Sequence, residues 1–207
     1  MASKLLMTAG GIALSGATGL GIWKLSGSDL VETFRDRLKS EFKDTKWKVL
    51  DSKSAPEWVD IKEIYDLSSS QKIKKGESNL TSSELPDWCI GTLNKSYSED
   101  SWESVKRYCL INTNSILQEL GDKAIPVSDG HDSEWLEAWK LYDKEKVNNV
   151  NLQIEDSEIK AVNSDENKGK AAMKKWCETA YKKLMYKNGS VSDFSLAAKW
   201  CIKVVKQ

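Results

Sequence analysis

A single histidine, His131, serves the whole chain. Imidazole is the side chain most often recruited as a general base near neutral pH, so most acid–base designs lose their usual centre. Cysteines spaced two apart are missing, which leaves no zinc-binding spacing. No glycine-rich phosphate loop and no nucleophile elbow occur. Excess charge is missing too: 31 basic residues balance 31 acidic ones. Binding to a phosphate backbone draws on clustered lysine and arginine, so no nucleic-acid partner is expected. Only three prolines occur, and no segment sustains period-two alternation, so helices are expected and strands are not. The expectation is a protein without cofactor, metal or catalytic residues.

The polar residues that remain read blandly. His131 lies beside Asp129 and Asp132 in a polar stretch and reads as an exposed loop residue. Glu155-Asp156 and Asp165-Glu166 read as solvated charge. Asp66 and Asp143 each follow a tyrosine at the end of a helical pattern, where packing or capping is the simpler role.

One long run lacks charge altogether. From Leu5 to Trp23 there is no Asp, Glu, Lys or Arg, and Lys4 and Lys24 bracket the run. At about 1.5 Å per residue it spans roughly 28 Å, the thickness of a bilayer's hydrocarbon. Residues 1–26 therefore predict a single transmembrane helix or signal anchor. Ala9, Ala13, Ala17 and Gly21 form a small-residue stripe suited to self-association. A cleaved signal peptide, with Ala17-Thr18-Gly19 as the processing site, is the competing reading. Lysines and arginines weigh toward a cytoplasmic domain, with Lys24, Arg35, Arg37 and Lys39 after the run and Lys4 before it.

What the chain does have is aromatics set against cysteines. Trp88-Cys89, Tyr108-Cys109, Trp176-Cys177 and Trp200-Cys201 place every cysteine directly behind a large ring. Helical stripes run through the same segments. Leu30, Phe34, Leu38 and Phe42 predict a helix near 29–44 capped by Ser28 or Asp29. Ser54 with Glu57 opens a helix through Trp58, Ile61 and Tyr65. Residues 67–81 read as loop, and Ser82 or Ser83 starts the helix of Trp88. Asp100 with Glu103 opens the helix of Trp102 and Val105. Ile116 to Leu120 stops at Gly121, and Ser133 caps the helix of Trp135, Trp139 and Tyr142. Residues 148–168 read as a long polar loop. Met173 to Leu184 and Phe194 to Val205 form the last stripes. The tryptophans read as core at this spacing. The fold class expected is all-α.

These segments align with one another. Trp58 to Tyr65 and Trp135 to Tyr142 share a seven-residue spacing, and Leu85 to Cys89 matches Met173 to Cys177. Trp102 to Cys109 matches Phe194 to Cys201. Two duplicated helical units are expected, 29–110 and 111–207, with the polar stretch inserted in the second. Within each unit the cysteines fall on the last two helices, and a helical hairpin brings such positions within disulfide reach. Cys89 with Cys109 and Cys177 with Cys201 are the pairs expected in an oxidising compartment. Small buried thiols on a core face are the alternative.

The Met-Ala-Ser-Lys-Leu-Leu start, the Leu85-Pro-Asp-Trp-Cys89 and Lys106-Arg-Tyr-Cys109 blocks and Asn114 to Gly121 resemble paralogous membrane-anchored protein families of haemotropic mycoplasmas. The resemblance implies one N-terminal span, a helical ectodomain and a place at the cell surface facing host proteins. It transfers no catalytic or binding residue. The expected function is a membrane-anchored surface protein with a host-interaction or antigenic role, its C-terminal domain extracellular. An intracellular, membrane-tethered helical scaffold with free thiols is the alternative.

Overall fold

The computed structural model describes residues 31–162 and 165–204. The apolar run Leu5–Trp23 lies outside them, and no described helix is long and apolar enough to cross a membrane. Helices dominate the described residues, in keeping with the all-α class.

Helix α1 (Phe34–Glu41) opens on a capping box: Thr33 Oγ1 accepts the Asp36 amide and the Asp36 carboxylate accepts the Thr33 N–H, both at 3.2 Å. It starts later than the Ser28–Asp29 cap expected from sequence. Phe34 and Leu38 are buried, while Phe42 caps the end half-buried. Strand β1 (Trp47–Val49) precedes α2 (Trp58–Leu67), which buries Trp58, Ile61 and Tyr65. Ser54 does not cap it; Glu57 occupies that position. A small hairpin, β2 (Lys74–Lys75) and β3 (Ser78–Asn79), turns at Gly76, whose φ of 64° favours glycine. A 3-10 turn capped by Thr81 leads into α3 (Leu85–Leu93), followed by α4 (Glu99–Cys109) and β4 (Leu110–Asn112). The second half contains α5 (Ile116–Leu120), α6 (Asp132–Glu145), α7 (Ser157–Ala161), α8 (Glu166–Lys182) and α9 (Ser190–Trp200).

Two expectations are corrected. Strands exist: β1 pairs antiparallel with β4, Lys48 opposite Ile111, across three intervening helices. Three residues are too few to show alternation, so this pairing leaves no local signal. The stretch 148–168 is not simply an exposed loop either. It holds a 3-10 turn at Val150–Leu152, α7 and the first residues of α8, pinned by the buried side chains of Ile154 and Ile159. Asp156 caps α7 by accepting the amides of Glu158 (2.9 Å) and Ile159 (3.0 Å), and Asp165 caps α8 in the same way.

Two apolar cores form, one from Phe34 to Ile111 and one from Ile116 to Cys201. Leu110 and Ile111 of β4 belong to the first. Several contacts recur in the two halves. Trp58 Nε1 donates to the Ser52 carbonyl (2.8 Å), and Trp135 Nε1 to that of Pro126 (3.0 Å). Tyr65 Oη accepts the Ile73 amide and Tyr142 Oη the Ile154 amide, each at 3.1 Å. Tyr65 meets Tyr108 edge-on at 5.0 Å, and Tyr142 meets Trp200 edge-on at 5.2 Å. The Leu50 amide donates to Cys109 O (2.8 Å), and that of Ile125 to Cys201 O (3.0 Å). In these contacts α2 and α4 occupy the places that α6 and α9 take in the second core.

Candidate functional site

The four cysteines form two bridges. Cys89 on α3 joins Cys109 at the end of α4 (Cα–Cα 5.5 Å), and Cys177 on α8 joins Cys201 just past α9 (5.9 Å). All four are 0% exposed. A bonded, fully buried sulfur offers no thiolate to a substrate, so these residues close hairpins and do no chemistry. Of the aromatics ahead of them, Tyr108 and Trp200 are buried, while Trp88 and Trp176 are half-buried against the cores.

The other candidates fall to structural roles. His131 is not a free loop residue; it takes the N-cap position of α6, with Nδ1 2.8 Å from Glu134 Oε2. Asp66 and Asp143 each face a lysine, Lys72 at 3.7 Å and Lys146 at 2.7 Å. Glu155 pairs with Lys160, and Glu166 lies 3.4 Å from Lys140. Among the described residues no group of three or more His, Cys, Asp and Glu side chains could hold a metal ion.

A groove between the two halves remains. The turn joining α8 to α9 crosses onto α2: Lys187 Nζ sits 2.8 Å from Asp60 Oδ2, and Asn188 Nδ2 donates to Glu63 Oε1 at 2.9 Å. Tyr186 packs against the first core. Beside this contact lies a cavity of about 320 Å³, walled by Ile64 of α2, β4 and Met185 to Val191. A second cavity, of about 400 Å³, opens over Phe42 and Lys106. Trp47, Arg107 and Leu110 line both. Trp47 is half-buried, with Phe42 at its edge (5.1 Å) and Lys46 Nζ 5.7 Å from its ring centre.

Charge around the groove is organised. Asp60 holds the Lys187 amine above its ordinary range through their hydrogen bond. Lys48 donates to Glu57 Oε1 at 2.6 Å and holds that carboxyl below the usual range. Behind β4, Glu119 accepts from Asn112 Nδ2 (2.9 Å) and Asn114 Nδ2 (3.0 Å), with Lys46 Nζ at 3.3 Å. Those bonds, led by Asn112, depress its carboxyl and tie the linker between halves to α5.

Sequence reasoning did not find this site. Its one local sign is Trp47, the tryptophan between two lysines that follows neither a helical stripe nor a cysteine pattern. The arrangement suits non-covalent recognition, with two apolar floors and a guanidinium between them. No protein-family model, no curated protein and no solved structure matches this chain.

Proposed function

We propose that this chain is a membrane-anchored helical surface protein, built as a duplicated pair of units, that acts by binding rather than by catalysis. Its domain lies outside the cell and meets host components or presents an antigenic face. The observation that carries this is one fully buried disulfide in each half. Such bridges form and persist where the surroundings are oxidising. The charge-free run from Leu5 to Trp23 supplies the anchor, and the resemblance to surface families of haemotropic mycoplasmas points the same way.

A second reading, an intracellular tethered scaffold, draws on one observation. Lys24, Arg35, Arg37 and Lys39 after the run outnumber Lys4 before it, and short basic flanks tend to stay cytoplasmic.

Two measurements on cells separate the readings. Because every cysteine is fully buried, alkylating the native protein reports burial and says nothing of oxidation. Cells are therefore lysed directly into denaturant with a mass-shifting thiol reagent, with and without prior reduction. A protease added to intact cells reads sidedness. The surface reading expects labelling only after reduction and loss of the domain to the protease. Four labelled thiols without reductant, on a domain the protease cannot reach, would establish the scaffold instead.

A further inference from the structure

The groove between the halves carries a cation with no carboxylate partner among the described residues. Of the three arginines, Arg35 pairs with Asp51 (2.7 Å) and Arg37 with Glu41 (2.5 Å). Arg107 is exposed, donates to the neutral side-chain oxygen of Gln71, and has no carboxylate within ion-pair distance among the described residues. The repeat shows what is missing. Lys199 of α9 corresponds to Arg107 of α4, since Cys201 and Trp200 correspond to Cys109 and Tyr108. Lys199 Nζ lies 2.9 Å from Glu145 Oε2, at the end of α6. The position matching Glu145 at the end of α2 is Ser68, whose hydroxyl turns back to the Ile64 carbonyl (2.8 Å). One half supplies the acid internally; the other leaves the place open.

The walls add two features. Lys48 and Ile111 face each other between the Leu50-to-Cys109 and Thr113-to-Lys46 bonds, both 2.8 Å. Antiparallel geometry then turns the Leu110 carbonyl and the Asn112 N–H and carbonyl away from β1, on the side where the Met185 amide donates to the Asn114 carbonyl (2.8 Å), with Leu110 and Ile111 buried. The Trp47 indole N–H makes no bond to the described residues, as is also true of Trp88, Trp102, Trp139 and Trp176, whereas those of Trp58, Trp135 and Trp200 each meet a carbonyl. Other charges nearby are already matched: Lys106 with Glu103 (2.5 Å) and Lys187 with Asp60.

We infer that this groove binds an acidic peptide segment of a partner protein, its carboxylate on Arg107 and flanking apolar side chains in the two cavities. A guanidinium grips a carboxylate through paired N–H donors. The inference rests on reading the domain as a binding module and supplies its ligand class.

The test pans the full chain against a display library of random short peptides, then titrates a selected peptide by tryptophan fluorescence. Enriched sequences are expected to share an Asp or Glu beside apolar residues. Arg107→Glu, at an exposed position, should weaken binding at least about tenfold, and Arg107→Lys less. Changing the peptide's acid to its amide should weaken binding to the natural chain but add little to the Arg107→Glu loss. Enrichment without an acidic preference, no enrichment, or equal affinity for Arg107→Glu each overturns the inference. The protease and alkylation results are independent of all three, so the surface reading stands or falls separately.

Discussion

At the scale of single residues, two glycines inside helices have opposite reasons for being there. A Cβ on Gly169 of α8 would overlap the indole of Trp139, which lies directly over that backbone. A Cβ on Gly91 of α3 would meet nothing within 4 Å. Helix propensity alone favours alanine over glycine by about 1 kcal/mol at either position. We expect Gly91→Ala to raise stability by about 0.5–1 kcal/mol. Gly169→Ala should instead lower it by about 1–3 kcal/mol, the usual result of overpacking. Urea melts of the two variants check this, and equal shifts would mean that Trp139 yields without strain. The sequence marks Trp139 as core through its spacing, but nothing in it says which glycine the ring covers.

At the scale of elements, each helical hairpin is closed by its bridge. The closed loops have sequence separations of 20 and 24, for which loop entropy suggests about 3 kcal/mol each. Cys89→Ala with Cys109→Ala, and separately Cys177→Ala with Cys201→Ala, should each lower the melting temperature in circular dichroism. Both variants should keep their helical signal at low temperature, because each core retains its rings. With all four sulfurs at 0% exposure, reductant should act on the natural chain only when denaturant opens it. Rapid reduction of the folded protein would contradict that. The pairing was legible in advance, since helical hairpin geometry follows from local spacing. The β1–β4 pairing was not, because strands this short leave no pattern and their partner is set by how three helices pack.

At the scale of the whole molecule, the two halves meet through a few polar contacts, an apolar patch and the linker. Lys187 is 41% exposed in its pair with Asp60, so screening should keep the pair weak. A double-mutant cycle on Asp60→Ala and Lys187→Ala should give a coupling below about 1 kcal/mol. A larger coupling would make the ion pair, not Tyr186 and its neighbours, the fastening between halves. Glu119 acts on the linker. Its folded-state carboxyl is held below the ordinary value, so its contribution is present above the unfolded pKa of about 4.3. That contribution is lost as pH falls through the lower folded value. Glu119→Gln should therefore lower the melting temperature near neutral pH, and the gap from the natural chain should close in acid below about pH 4. A gap independent of pH would show that the substituted amide differs in packing and not in charge.

The helical class, the helical stripes, the repeated Trp-to-Tyr and aromatic-to-Cys spacings and the two cysteine pairs were all readable from the chain alone. Each is local or periodic, and periodicity survives translation into a sequence. Helix starts were less so: Thr33, Thr81 and His131 hold the cap positions, while Ser28 or Asp29, Ser82 or Ser83 and Ser133 are equally good caps by residue type. Ile154 and Ile159 carry no period, and only the second core shows why they bind the polar stretch down. The groove belongs wholly to the tertiary structure. Trp47, Arg107 and Met185 are far apart in sequence, and they meet because the turn after α8 crosses onto α2, where Asp60, Glu63 and Ile64 receive it. Which arginine lacks a carboxylate among the described residues depends on where the other acids fall, and that is decided by packing in three dimensions.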